Sequence, residues 1–220
     1  MRIIFKQFWL AFAITSSLLW DRAAAQIVQT YAGADFTYQS EGKPATATPV
    51  GLPVDVNIDG AGNVYLATLY FQVFRISPAG TMQLVAGNGF RGTPLEGSDA
   101  RKSTLFDNHS VTPGRDGNTY IGGGGYIVKV TSAGIVNRIA GGGNNFNSAG
   151  GGSFSGDGGP AIKAGVGDFI QSIIFDGSGN LMFADARNNR IRKIDTNGIM
   201  TTIAGTGAAG RGLLLQTPCH

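Results

Sequence analysis

Residues 154–193 read FSGDGGPAIKAGVGDFIQSIIFDGSGNLMFADARNNRIRK, and this stretch decides the fold prediction. Two strand-like runs, residues 170–176 and 180–185, flank a Gly-Ser-Gly turn, and a third run covers residues 190–195. Short apolar runs separated by glycine and asparagine are typical of antiparallel strands joined by tight turns. The stretch therefore predicts antiparallel β structure.

Four sequence markers recur in a fixed order along the chain, which indicates an internal repeat. An Ala-Gly pair ends a short apolar run at four places, with steps of 54, 54 and 64 residues between them. The other markers are an acid followed by glycine, an aspartate turn before an apolar strand, and a strand whose third residue is basic. The markers lie at Ala32, Ala86, Ala140 and Ala204; at Glu41, Glu96 and Asp157; at Asp59, Asp116 and Asp176; and at Arg75, Lys129 and Lys193.

The repeat predicts an all-β fold, because four antiparallel strands in a unit of this size indicate a propeller blade. We expect a partial β-propeller of about three four-stranded antiparallel blades plus the start of a fourth, after an N-terminal signal helix. The predicted units cover residues 27–80, 81–134 and 135–198, with a partial unit at 199–220. The third unit is longer because of a Gly/Asn/Ser insertion at 142–153, which we expect to be a loop.

Residues 1–25 are predicted to be a cleaved signal peptide. Arg2 and Lys6 precede an apolar run at residues 8–20, and alanines at 23–25 supply the small residues of a cleavage site. An uncleaved N-terminal anchor is the alternative. Cleavage predicts a secreted or periplasmic protein that has no further membrane segment.

The mature chain, residues 26–220, is nearly neutral. Residues 1–25 contain three basic residues and one acid, so the mature chain keeps 14 of 17 basic and 13 of 14 acidic residues, a net charge of +1. This balance argues against a nucleic-acid partner. Cys219 is the single cysteine, so no intrachain disulfide can form and stability depends on the β core.

Residues 173–193 closely resemble the NHL repeat, whose typical form is an apolar strand, D-x-x-G-N, an apolar strand ending in Ala-Asp, and N-N-R-I-R-K. The neighbouring FSGDGGPA and TIAGTG runs look like the long bacterial variety of that repeat. The resemblance covers about residues 27–207 and is weaker in the first two units, where Thr68 and Gly123 replace Asp185. It implies a propeller, usually of six blades, that mostly acts as a binding platform.

Three blades are too few to close a ring of ordinary curvature, and an open arc leaves two apolar blade faces exposed. Residues 210–220 also depart from the repeat. One explanation is a truncated or frameshifted propeller that lacks its remaining blades. The other is self-association of two or more chains to complete the ring. We further expect Ile191→Asp to bury an unpaired charge between blades.

The sequence offers little for catalysis, and we predict no catalytic residue, metal or cofactor. His109 and His220 are the only histidines, whereas a zinc site needs three or four ligands. We expect His109 to be a surface or capping residue. Serines at 153 and 155 lie in a glycine-rich turn. Asp157 stands almost alone in its loop, so we expect it to accept backbone N–H bonds within a turn rather than to bind calcium.

The polar residues of the third unit are the candidate ligand-binding site, together with the insertion at 142–153. They are Asp185, Arg187, Asn188, Asn189 and Arg190. We expect Asp185 and Arg190 to pair across their short connection. The favoured function is an exported, non-catalytic scaffold that binds a protein or carbohydrate. The alternatives are a gluconolactonase-like or amidating-lyase-like enzyme and a non-functional gene fragment.

Overall fold

The computed structural model describes residues 42–142 and 154–210, and the account below concerns those residues. The predicted signal peptide, Glu41, Cys219 and nearly all of the 142–153 insertion lie outside them. None of the helical segments in the described ranges is long and apolar enough to cross a membrane.

The described residues form short strands and single turns of 3₁₀-helix. The strands are β1 (Lys43–Pro44), β2 (Pro53–Ile58), β3 (Val64–Thr68), β4 (Gln72–Ile76), β5 (Thr81–Ala86), β6 (Asn108–Pro113), β7 (Thr119–Gly123), β8 (Tyr126–Val130), β9 (Val136–Ala140), β10 (Ile170–Phe175), β11 (Leu181–Asp185), β12 (Arg190–Ile194) and β13 (Met200–Ala204). The 3₁₀ turns are Ala45–Ala47, Ala161–Lys163 and Ala186–Asn188.

These strands form three antiparallel sheets that follow chain order, which confirms the predicted all-β architecture. We name them blade A (β2 to β5, with β1 added at its outer edge), blade B (β6 to β9) and blade C (β10 to β13). The unit limits read from the repeat, Gly80, Gly134 and Gly198, fall between the third and fourth strands of each blade. All three glycines have a φ of 78°, a left-handed conformation that glycine adopts without strain.

An aspartate fixes the hairpin between the first two strands of every blade. In blade C, Oδ1 of Asp176 accepts the backbone N–H groups of Ser178 and Asn180 at 2.9 Å, and Oδ2 accepts the Asn180 amide at 2.7 Å. Asp59 and Asp116 make equivalent bonds in blades A and B. Hydrogen bonds from the asparagine hold the pKa of the Asp176 carboxyl below its usual value.

The blades pack face to face in chain order, with the innermost strands β2, β6 and β10 next to one another. One apolar core lies between blades A and B and includes Val73, Ala86 and Val111. A second lies between blades B and C and includes Ile127 and Ile173. Blade B is therefore the one whose two faces are both covered within the described part of the chain.

The segments before blades B and C tie each of these two blades to the blade before it. In blade B, Gly97 donates its N–H to Val136 on the outermost strand at 2.8 Å. The same segment accepts the N–H of Gly87, at the end of blade A, on the Ala100 carbonyl at 2.9 Å. Gly141 makes the corresponding bond to Ala161 at the junction of blades B and C.

The expectation for Ile191 is wrong, because this residue lies on the face of blade C that no described blade covers. Its side chain is 39% exposed, whereas Val73 and Ile127, at the same repeat position in blades A and B, are fully buried. A charge at position 191 would therefore meet solvent in a single chain. The position that tests the packing between blades is Ile127.

Ile127→Asp should lower the free energy of unfolding by roughly 4 kcal/mol or more, because it places an unpaired carboxylate in the core between blades B and C. Leu95→Asp is the matched control, since Leu95 is 72% exposed. We expect the control to change stability by about 0.5 kcal/mol or less. Denaturant unfolding, followed by far-ultraviolet circular dichroism, gives the unfolding midpoint of both variants. Equal midpoints for Ile127→Asp and Leu95→Asp would contradict the blade packing.

Candidate functional site

The candidate residues lie at the end of the blades where the innermost strands begin, which we call the upper end. The loop between the second and third strands of each blade reaches this end. In blade C, the N–H of Ala186 in that loop bonds to the Phe169 carbonyl at 3.2 Å, just before β10. Gly124 in the corresponding loop of blade B bonds to the Asp168 carbonyl at 3.1 Å. The upper ends of blades B and C are thus joined at residues 168 and 169.

Asp185 is fully buried at this end and is held by partners inside the protein. Its Oδ1 accepts the Gly167 N–H at 2.9 Å, and the Asn188 amide donates to both carboxylate oxygens at 3.0 and 2.9 Å. Its charged partner is Arg192, with Nη1 at 3.5 Å from Oδ2.

The expected ion pair between Asp185 and Arg190 is therefore wrong. Arg190 donates instead to the backbone carbonyls of Asn188 and Thr206, both at 2.8 Å. Its guanidinium also lies over the Phe154 ring, 3.6 Å from the centroid. The physical reason is burial: the fully buried Arg192 needs a carboxylate to offset its desolvation, whereas the half-buried Arg190 reaches carbonyl groups near the surface.

Arg192 is the centre of a buried polar network that the sequence analysis missed. Its Nη1 donates to the Gly165 carbonyl at 2.6 Å, and its Nη2 donates to the Ser155 carbonyl at 2.8 Å and to Asp157 Oδ1 at 2.9 Å. The network fastens the segment before blade C to strands β11 and β12.

Asp157 belongs to this network rather than to its own turn, which corrects the expected role. Its Oδ2 accepts the N–H of Thr202 on β13 at 3.1 Å. Burial raises the pKa of Asp157, but the hydrogen bonds from Thr202 and Arg192 and the Arg192 charge outweigh it and hold that pKa below its usual value. Glu96 has the same place in blade B, where Oε2 accepts the Arg138 N–H at 2.7 Å. In blades B and C, the acidic marker of the repeat therefore ties the preceding segment to the outermost strand of its blade.

Next to the buried network lies a group of four side chains, of which Arg187 is exposed and the others are half-buried. We call it the His109 cluster: His109, Asp168, Phe169 and Arg187. Arg187 Nε lies 3.2 Å from Asp168 Oδ1, and its guanidinium carbon lies 6.0 Å from the Phe169 ring centroid. The His109 ring packs edge-on against Phe169, with centroids 4.3 Å apart. The cluster joins blade B to blade C and leaves the Arg187 side chain 60% exposed.

His109 lies half-buried at a bulge in β6, between Asn108 and Ser110, rather than at a cap. Burial lowers the pKa of its imidazole below 6.5, and the nearby carboxylates Asp107 and Asp168 only partly oppose this effect. The imidazole is therefore neutral at pH 7 and can both donate and accept a hydrogen bond.

A similar arrangement stands beside the His109 cluster at the end of blade A. Arg91 Nη2 lies 2.9 Å from Asp107 Oδ2, and the Arg91 guanidinium lies 4.0 Å from the Phe106 ring centroid. The upper end thus presents two arginines, each beside a carboxylate and over a phenylalanine ring.

The five predicted ligand-binding residues divide into two sets. Asp185 and Asn188 are buried and bonded to each other, and Arg190 is half-buried against Phe154. Arg187 and Asn189 are exposed, and Asn189 adopts a left-handed conformation with a φ of 49°. Of the predicted set, these two side chains can contact a ligand at the surface.

Within residues 42–142 and 154–210, no three His, Cys, Asp or Glu side chains come close enough together to hold a metal ion. The acids near the upper end instead bond to arginines or to backbone groups.

Comparison with known proteins finds matches among solved structures. No family model matches the sequence, and no curated protein matches it. A candidate phosphatase from Bacteroides thetaiotaomicron superimposes with a TM-score of 0.51 at 17% identity, covering 72% of this chain and 36% of that protein. An inactive variant of virginiamycin B lyase from Staphylococcus aureus gives a TM-score of 0.45 at 16% identity, covering 71% and 42%. An auxiliary nutrient-binding protein from Bacteroides thetaiotaomicron gives 0.42 at 16% identity, covering 66% and 34%.

The matched structures are β-propeller proteins, in agreement with the three blades of this chain. The chain spans less than half of each of these proteins. Their names denote three different activities, and at such identities the likeness extends to the fold alone.

Arg192→Phe should lower the free energy of unfolding by about 3–5 kcal/mol, because it leaves the buried Asp185 carboxylate without its charged partner. The double variant Arg192→Phe with Asp185→Thr reproduces the pair that blade A has at these positions, Phe74 and Thr68. We expect it to regain part of the loss. Arg187→Ala is the control for an exposed ion pair and should cost about 1 kcal/mol or less. Chemical denaturation of the three variants measures these differences.

Parent-like stability of Arg192→Phe alone would show that the Arg192 network does not hold the third blade together.

Proposed function

We propose that this chain is part of an exported propeller of the NHL-repeat type and that it works as a binding scaffold rather than as a catalyst. The NHL assignment rests on residues 173–193, where the aspartate turn, the Ala-Asp strand end and the N-N-R-I-R-K run follow one another. Export rests on the charged start, apolar run and small residues of the first 25 positions.

The observation that supports binding is that the polar side chains of blade C are either buried and bonded inside the blade or exposed on a loop. The charged side chains of Asp185 and Arg192 are fully buried and bonded inside the blade. The exposed polar groups stand on loops at the upper end, where a rigid β scaffold holds them.

The His109 cluster would form the ligand-contacting surface. Arg187 offers a planar cation with several donors, the neutral His109 offers a donor and an acceptor, and Phe169 offers an aromatic ring. Exposed apolar side chains stand on other loops of this end, with Tyr70 between β3 and β4 and Phe90 after β5. A mixture of aromatic rings and hydrogen-bonding groups suits a protein segment or a carbohydrate.

Two measurements on the purified full chain test this proposal. The first is metal analysis with assays of lactone hydrolysis and lyase activity in the presence of calcium or zinc. We expect no stoichiometric metal and no turnover. Either a stoichiometric metal or turnover would favour the alternative, a gluconolactonase-like or lyase-like enzyme.

The second measurement is binding to an oligosaccharide array and to a peptide library. We expect at least one probe to bind, and Arg187→Ala to weaken that binding at least tenfold, because it removes the exposed cation of the His109 cluster. Arg101→Ala is the matched control, since Arg101 is also an exposed arginine paired with an aspartate, Asp99, but lies away from the cluster. Equal loss in both variants, or no binding by any probe, would count against this site.

A further inference from the structure

Two arginine–aspartate pairs stand at the upper end, and both have the same local construction. In each pair the arginine side chain is more than half exposed, the carboxylate is less exposed, and a phenylalanine is the chain neighbour of the aspartate. The guanidinium lies over or beside the ring of that phenylalanine. The two units are Arg91 with Asp107 and Phe106, and Arg187 with Asp168 and Phe169.

His109 and Gly124 connect the two units into one surface. The Asp107 and Asp168 carboxylates both act on the pKa of the His109 imidazole, so this ring lies within electrostatic range of both pairs. Gly124 donates its N–H to the Asp168 carbonyl at 3.1 Å, and the Phe106 ring occupies the space that a side chain at this glycine would need. We call this surface the upper strip and define it by five polar side chains: Arg91, Asp107, His109, Asp168 and Arg187.

The upper strip has no net charge at pH 7. Its two guanidinium groups are offset by its two carboxylates, and the His109 imidazole is neutral because burial lowers its pKa. A surface without net charge gives little long-range attraction to an acidic or a basic partner. The charge balance of the strip therefore favours an uncharged ligand.

Hydrogen-bonding capacity remains on both members of each pair. Among the described residues, Arg187 donates to Asp168 through Nε, and Arg91 donates to Asp107 through Nη2. A guanidinium has five N–H donors and a carboxylate about four acceptor sites, so each group keeps capacity for a ligand. Donors and acceptors therefore stand side by side in the strip, and the neutral His109 can act as both.

The phenylalanine rings of the two units support the cations instead of forming an open apolar pocket. Phe106 is half-buried against the core between blades A and B, and the Arg91 guanidinium lies 4.0 Å from its ring centroid. Phe169 is half-buried and packs against His109. Protein partners typically anchor large aromatic side chains in well-packed pockets, so the strip suits a polar ligand better than a protein segment.

We propose that the upper strip binds a neutral oligosaccharide, with its two units contacting neighbouring sugars of one chain. Each sugar hydroxyl both donates and accepts hydrogen bonds, which matches donors and acceptors that stand side by side. Hydrogen bonds that involve a guanidinium or a carboxylate are roughly twice as strong as those between neutral groups. This inference rests on the proposed function, because it names the ligand class of the His109 cluster and adds the Arg91–Asp107 pair to the binding surface.

Calorimetric titration of the purified full chain tests the ligand class. The probes are neutral hexasaccharides of glucose, mannose, galactose and xylose, a galacturonic acid hexasaccharide, and acidic and basic octapeptides. We expect at least one neutral hexasaccharide to bind, with a dissociation constant that changes less than about twofold between about 0.05 and 0.5 M NaCl, because the ligand has no charge to screen. The corresponding monosaccharide should bind about tenfold more weakly or worse, because it reaches one unit only.

The outcomes separate this inference from the proposed function. Binding of the acidic hexasaccharide or of a peptide alone would overturn the inference and leave the proposed binding function in place. Binding of no probe would count against both. A neutral hexasaccharide that binds as tightly as before when either unit is altered would also overturn the inference.

Arg91→Ala tests whether the second unit belongs to the site. It should weaken binding of the neutral hexasaccharide about tenfold or more, because it removes charge-assisted hydrogen bonds. Arg101→Ala is the matched control, since both arginines pair with an aspartate and their side chains are 56% and 55% exposed. Equal binding by the two variants would contradict a site that includes Arg91.

Asp107→Asn distinguishes a neutral from an acidic ligand. Asparagine tolerates the left-handed φ of 44° at this position, so the variant mainly replaces a charged acceptor with an amide. A neutral hexasaccharide should then bind more weakly, whereas an acidic ligand would bind more tightly because the strip gains a net positive charge. Asp99→Asn is the control, with a side-chain exposure of 35% against 34% for Asp107, and should leave binding unchanged. Tighter binding by Asp107→Asn would overturn the inference.

Discussion

The need of each blade to cover two apolar faces is the constraint on which this structure depends. Each sheet alternates its side chains between two sides, and in blade B apolar residues on both sides are buried, by blade A on one side and blade C on the other. A single four-stranded sheet of this kind would leave one or both faces in water. The fold is therefore stable only as a stack, and its stability is a sum of contacts between neighbours.

The acidic residues of the repeat hold the blades and their connecting segments together. Aspartates at 59, 116 and 176 fix the hairpins, and the acids at 96 and 157 tie each preceding segment to its blade. Blade C adds the network of Arg192 with Asp185, at positions that are Phe74 and Thr68 in blade A. At the upper end, the His109 cluster joins blades B and C and leaves the Arg187 side chain exposed.

Sequence periodicity predicted the blades well because strand, turn and register all recur. The observed strands β10, β11 and β12 of blade C agree with the three predicted runs to within one residue at either end. The same periodicity failed at Arg192, because its counterparts Phe74 and Val128 are apolar and the basic column of the repeat is at Lys193. One signal in the sequence could have revealed the pair. Asp185 and Arg192 are both charged, whereas the residues at the same repeat positions of blades A and B are uncharged, as expected if the two charges compensate each other.

The contacts of the upper end could not be predicted in the same way. His109 meets Phe169 because blades B and C pack side by side, and the sequence gives no measure of the rotation between them. The exposure of Ile191 likewise depends on which neighbour is present rather than on the residue's own repeat position.

Amide hydrogen exchange of the purified chain tests the central claim most directly. If each blade depends on its neighbours, strands β6 to β9 should exchange most slowly, because blade B is covered on both faces. Strands β10 to β13 should exchange faster, because no described blade covers the second face of blade C. Equal exchange in blades B and C, or slower exchange in blade C, would contradict the account.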